Sequence, residues 1–210
     1  AVDAEHRLRS HHRGARVLVV EDNEVNRVIV GEMLLGLGMS VDAAVDGLDA
    51  LARIRSSDYD LVMMDLQMPT MNGIDAIHAI RAEFPTIKIG GPGVTQTGFL
   101  QPAGQTWVSN FLATVKAQGA PLDFFSWHLY SNDPAAFTQG AVYYRDLLNR
   151  NGFTATESHI TEWNNEGSGT SAATRRMRRL SVASRAESAS MPWISWCWPI
   201  GLPCWRRSLA

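Results

Sequence analysis

Cysteine is nearly absent from this chain. Only Cys197 and Cys204 occur, both close to the C-terminus, so no disulfide ties the main body together and the composition fits a reducing compartment. No apolar run approaches the roughly 18 residues that a membrane span needs, and the N-terminus carries no apolar signal core. It has no initiator methionine either, which reads as a piece of something longer in the cytoplasm. Lysine is scarce, positive charge being almost all arginine, and the net charge is only −2, so no specific nucleic-acid partner is expected. What remains is 210 residues that are 45% hydrophobic, enough for one sizeable core or two small ones.

Charge is unevenly spread. Residues 167–210 hold seven arginines against one glutamate, a surplus of six that leaves −8 on residues 1–166 for the net −2. The two parts differ in kind. Residues 1–15, with His6, Arg7, Arg9, His11, His12 and Arg13, have no apolar period and read as a basic, solvated linker. Residues 16–85 and 86–166 are patterned. Residues 167–210 open on Gly167-Ser168-Gly169, continue through a basic stretch at 174–185, and set Trp193, Trp196, Trp198 and Trp205 among prolines and the two cysteines. Such a tract resembles GC-rich DNA translated in a shifted frame; it is expected to be poorly ordered or to self-associate through exposed tryptophans.

Within 16–85, Val17 to Val20 is a short apolar run ending in Glu21 and Asp22, and Leu61 to Met64 is another ending in Asp65. Runs of this kind are strands buried on both faces. If the two strands are parallel neighbours, three carboxylates meet at the edge where open α/β sheets bind ligands. They repel unless a hard cation sits among them, and oxygen donors suit Mg²⁺. Val25, Val28, Ile29, Met33, Leu34 and Leu37 fall at helical spacing, Ser40–Ala44 is a second strand, Gly47–Ile54 a second helix, and Ile74, Ile77, Ile80 and Phe84 mark a third facing the sheet.

Two resemblances attach to these patterns. Val17-Leu18-Val19-Val20-Glu21-Asp22-Asn23-Glu24-Val25-Asn26-Arg27, Asp46-Gly47, Met63-Met64-Asp65-Leu66-Gln67-Met68-Pro69 and Met71-Asn72-Gly73 resemble the receiver domains of response regulators, in particular those of hybrid histidine kinases, over about residues 15–84. The resemblance implies a flavodoxin-like parallel sheet, with Asp65 the phosphoacceptor. Glu21, Asp22, Asp65 and the carbonyl of Gln67 would be the Mg²⁺ ligands, and the partner a histidine kinase or phosphotransfer protein in a phosphorelay. The family's hydroxyl residue at the end of strand four and lysine at the end of strand five are replaced here by Gly90 or Gly91 and by Trp127, so impaired switching is expected. From Lys88-Ile89-Gly90-Gly91-Pro92 through Phe124 to Tyr130 and on to His159-Ile160-Thr161-Glu162-Trp163-Asn164, the chain resembles family 39 glycoside hydrolases of the β-xylosidase kind, over about residues 86–166. That resemblance implies half-barrel-like βα units with Glu162 as nucleophile and His128, Tyr130 and Trp163 lining a sugar site. The family's acid/base glutamate is missing, so glycosidase activity is not expected.

The expected fold is therefore α/β, an open parallel sheet of repeated βα units. The two halves form either one merged sheet or two subdomains. The expected function is a phosphoacceptor receiver module; the alternatives are a glycoside hydrolase or sugar-binding remnant and a chimeric chain with no function of its own.

Overall fold

A computed structural model describes residues 12–164 and 193–197 of the chain. Two compact units divide it, residues 1–90 with 192–210, and residues 91–191. Their boundary falls between Gly90 and Gly91, a few residues beyond the seam expected after Pro85.

The first unit is built from βα repeats. Strand β1 (Arg16–Val20) buries four successive residues, as a strand covered on both faces must. Helix α1 (Glu24–Gly36) starts where the side chain of Asn23 accepts from the N–H groups of Val25 and Asn26. It stops at Leu37, and Gly38 then takes the left-handed conformation at φ +83°. Strand β2 (Ser40–Ala44), helix α2 (Gly47–Ser56, capped by Asp46), strand β3 (Leu61–Asp65) and helix α3 (Gly73–Glu83, capped by Asn72) follow. Helix α3 turns Ala76, Ile77 and Ile80 inward, whereas Ile74 and Phe84 are half-buried.

Strands β2 and β3 flank β1, both parallel to it, which is the 2-1-3 start of a flavodoxin-like sheet. The next position departs from the sequence reading. Residues 193–197, placed above in a poorly ordered tail, form strand β7 (Trp193–Cys197) between β3 and β4 (Lys88–Val94). It runs parallel to both, pairing with all five residues of β3 and with Lys88–Gly90 of β4. Trp193, Ile194 and Trp196 are of residue types that favour strands. The linker expectation for residues 1–11, and the disorder and self-association expected of 165–192 and 198–210, lie outside the described residues.

The apolar period along α1 does mark a helix, but it does not mark the buried face. The helix packs through Leu34, with Val30, on Val17 and Val19, while Val25 and Val28 are 65% and 55% exposed. A period of 3.6 identifies the helix but not which edge of a broad apolar stripe meets the sheet.

In the second unit, the short helix α4 (Thr97–Leu100) precedes α5 (Pro102–Ala117), strand β5 (Phe124–Tyr130), α6 (Pro134–Arg150) and strand β6 (Glu157–Asn164). Both long helices begin with proline, whose missing N–H costs nothing in the first turn. Strands β5 and β6 pair in parallel. Tyr144, fully buried, is the hub of an aromatic core, with ring centroids 5.1 Å from Trp127 and 5.3 Å from Phe125. Trp127 also donates from Nε1 to Ser158 Oγ at 3.1 Å, so it serves as a core residue of this unit. Among the described residues no helix is long and apolar enough to cross a membrane.

Candidate functional site

The candidate site of the first unit sits at the carboxyl edge of β1 and β3. Register pairs Val20 with Met64, so the next residue of each strand, Glu21 and Asp65, stand side by side, with Asp22 one step further along the β1–α1 loop. Glu21, Asp22 and Asp65 each place a carboxylate oxygen within 4.8 Å of the others. The three acids read from the sequence do converge.

Their surroundings show how the chain holds them. Asp65 Oδ1 accepts from the Gln67 N–H at 3.1 Å, which folds the loop after β3 back over the strand end. Gly73 brings α3 close behind: a Cβ there would lie 2.3 Å from the Asp65 carbonyl oxygen and 2.8 Å from Leu66 Cα. Only glycine permits that approach. On the other side, Glu21 Oε1 accepts from the Asn23 N–H at 3.3 Å and from Asn26 Nδ2 at 3.2 Å. Arg27 donates from Nη1 to the carbonyl oxygens of Glu21 at 2.7 Å and Asp22 at 3.2 Å. Asn26 and Arg27 belong to the quoted motif, but no role for them was legible from residue type. Their signal was two polar residues in the first turn of a helix that follows an acid pair, and spacing alone does not say that they reach backward.

The electrostatics are those of an under-compensated cluster. Partial burial pushes the Glu21 carboxyl above its ordinary range, the hydrogen bond from Asn26 opposes this, and the negative charges of Asp65 and Asp22 add to it. Asp65 is likewise pushed up by burial, against the N–H groups of Gln67 and Leu66, with the charge of Asp22 adding to the rise. Three oxygen donors this close, and not fully neutralised by hydrogen bonds, form a donor set that suits a hard divalent cation. Gln67 reaches the site through its N–H.

The residues proposed for sugar contact lie in the second unit. Register pairs His128 with Glu162 and Leu129 with Trp163, across a bulge beside His128. His128 and Glu162 are thus neighbours on adjacent strands. Trp163, paired with Leu129, belongs to the alternate row of the pleat from His128 and Tyr130 and does not join them on one face. His128 is buried, and the Tyr130 N–H donates to Gln96 Oε1 at 3.3 Å. Glu157 begins β6 and contacts His159 Nε2 at 2.8 Å. Five positions along a strand separate it from Glu162, roughly 15 Å at the usual rise.

Known proteins resemble the chain in two overlapping stretches. The response regulator receiver domain model matches residues 17–92. The glycosyl hydrolase catalytic core model matches residues 73–196, so the two share α3 and the first part of β4 and the second extends into β7. Histidine kinase 5 of Arabidopsis thaliana is 42% identical over 67 residues, which are 32% of this chain and 7% of that protein. Response regulator mcs4 of Schizosaccharomyces pombe is 38% identical over 82 residues, 38% of this chain and 16% of that protein. The autoinducer 2 sensor kinase/phosphatase LuxQ of Vibrio harveyi is 40% identical over 77 residues, 37% and 9% respectively. The chain thus spans less than a fifth of the length of these relatives. Among solved structures, response regulator TrrA of Thermotoga maritima is 18% identical with a TM-score of 0.34, covering 79% of this chain and 98% of that one. The chain belongs to the glycosyl hydrolase catalytic core family over residues 73–196 and carries, over residues 17–92, a response regulator receiver domain of the kind found in hybrid histidine kinases.

Proposed function

We propose that the receiver domain accepts a phosphoryl group on Asp65, with Mg²⁺ as the cation held by Glu21, Asp22, Asp65 and the carbonyl of Gln67. The observation that carries this reading is the convergence of three carboxylates, two of them pushed up by burial, at one strand end of a receiver match. A bound Mg²⁺ would supply positive charge against the oxygens of the group in transfer. The chain's own residues do the rest. Asp65 offers the nucleophilic oxygen, oriented by the Gln67 N–H on Oδ1. That oxygen forms a bond to phosphorus as the bond to the phosphohistidine nitrogen of a kinase or phosphotransfer partner breaks, leaving an acyl phosphate and the partner's imidazole. Such a relay places the protein in the cytoplasm.

The output is weak in this proposal. Gly90 and Gly91, read from the sequence as the hydroxyl position, lie inside β4, which ends at Val94 with Thr95 next; the strand beside β3 is β7, and Trp127 is committed to the aromatic core of the other unit. With β7 between β3 and β4, β4 is not the strand next to Asp65, so a hydroxyl at its end is one strand removed from the position that switching uses.

The test is intact-protein mass after incubation with acetyl phosphate and Mg²⁺. A single phosphoryl adduct that disappears in Asp65→Asn and in chelator supports the reading; an adduct that persists in Asp65→Asn removes it.

The family match over residues 73–196, together with the pairing of His128 and Glu162, favours a second reading, a sugar-binding remnant. Turnover is not part of it. A retaining glycosidase needs two carboxyls about 5 Å apart, and Glu157 lies some threefold too far along the strand. Hydrolysis of an aryl xyloside that vanishes in Glu162→Gln would show that a second acid exists after all.

A further inference from the structure

The first turn of α1 bends back onto the acid pair that precedes it, and the hydrogen bonds fall unequally on the two oxygens of Glu21. Oε1 accepts twice, from the Asn23 N–H at 3.3 Å and from Asn26 Nδ2 at 3.2 Å. Among the described residues Oε2 accepts no hydrogen bond. Asn26 is itself fixed, because its own N–H donates to Asn23 Oδ1 at 3.2 Å as part of the helix cap. Arg27 immobilises the backbone beneath by gripping the carbonyl oxygens of Glu21 and Asp22. The carboxylate is therefore anchored to the helix by one oxygen, which leaves Oε2 as the oxygen open to a cation.

We infer that Asn26 is a positioning residue that restricts Glu21 to a single metal-binding oxygen and thereby sets the site's preference for Mg²⁺ over Ca²⁺. The inference rests on the cation-site reading proposed above and deepens it. Mg²⁺ demands a tight octahedron with one oxygen from each donor and keeps several waters. Ca²⁺ takes six to eight oxygens at longer range and gains from carboxylates that bind through both oxygens. A Glu21 whose Oε1 is occupied cannot chelate, so the larger ion loses a ligand that it would otherwise recruit. Residues behind the ligands commonly change metal affinity by 10–100-fold through orientation alone.

The experiment is a titration of the full ¹⁵N-labelled chain with MgCl₂ and, separately, CaCl₂, following the Leu66 and Gln67 amide resonances. Wild type, Asn26→Ala and Asn26→Gln are compared, with circular dichroism confirming that each is folded. In Asn26→Ala the ratio of Ca²⁺ to Mg²⁺ dissociation constants falls by about fivefold or more, because Ca²⁺ gains an oxygen that Mg²⁺ does not use. Asn26→Gln, which keeps an amide donor on a longer arm, recovers part of the preference. A role confined to helix capping would weaken both ions alike, so an unchanged ratio in a folded Asn26→Ala overturns the inference while leaving the site reading intact. If Asn26→Ala does not fold, Asn26→Gln and Asn26→Ser decide the matter by the same ratio. Wild type that binds neither ion would overturn the site reading itself, and this inference with it.

Discussion

At the scale of single residues, the acidic cluster is a liability to the fold that a cation would relieve. Asp65 and Glu21 have carboxyl pKa values raised in the folded protein. Their contribution favours folding while they are protonated and is lost as pH rises through the raised folded values. In chelator at neutral pH, Asp65→Asn should therefore stabilise the protein and raise its Tm, by an amount reduced by the partial exposure of the group. Below the ordinary aspartate value of 3.8 the difference should vanish. Thermal scans at the two pH values check it, and a Tm lowered at neutral pH would contradict it. Tyr144 presents a separate case. Its hydroxyl is buried with no hydrogen-bond partner among the described residues, and burial pushes its pKa well up. Removing an unsatisfied polar atom of the same shape is neutral or favourable, so Tyr144→Phe should leave stability unchanged or raise it by about 1 kcal/mol in urea titrations.

At the scale of elements, the contact between α3 and the end of β3 is the tightest constraint on the site. The atoms a Cβ at Gly73 would strike are backbone atoms of Asp65 and Leu66, which cannot rotate away. Gly73→Ala should cost roughly 2–4 kcal/mol and reduce phosphoryl uptake by displacing Asp65. Gly31, in the middle of α1 with open space around it, is the matched control. Gly31→Ala should stabilise the protein by up to about 1 kcal/mol through helix propensity. Urea midpoints of the two variants give the comparison, and equal effects would mean that the close approach at Gly73 is absent. Asn23, Asp46 and Asn72, quoted from the sequence only as motif residues, act as helix caps, each side chain accepting from an N–H of the first turn. The exposed face of α1 was not legible from residue type, because nothing local distinguishes Val25 from Leu34.

At the scale of the whole molecule, β7 decides what flanks β3. It supplies a pairing partner for every residue from Leu61 to Asp65. A chain ending before Trp193 would leave β3 with an unpaired edge next to the acidic site, and unpaired edges template association. We expect such a truncation to accelerate amide exchange in β3 and to raise the sedimentation coefficient through self-association. Unchanged exchange at Val62 to Met64 would show that β7 does not guard that edge.

The sequence by itself determined the βα repeats, the parallel character of the sheet and the three converging acids, because these depend on short-range periodicity and on strand ends marked by carboxylates. It also carried both family resemblances, including the point near Pro85 where one gives way to the other. Only tertiary structure decided which strand lies beside β3, which stripe of α1 is buried, and that Asn26 and Arg27 turn back onto Glu21 and Asp22. Each of these is settled by competition between segments distant in sequence, or by side-chain directions that residue type leaves free. The strand at residues 193–197 shows the limit most clearly: its local sequence suits a strand, but its place in the sheet depends on an edge that β3 and β4 offer only once they have assembled.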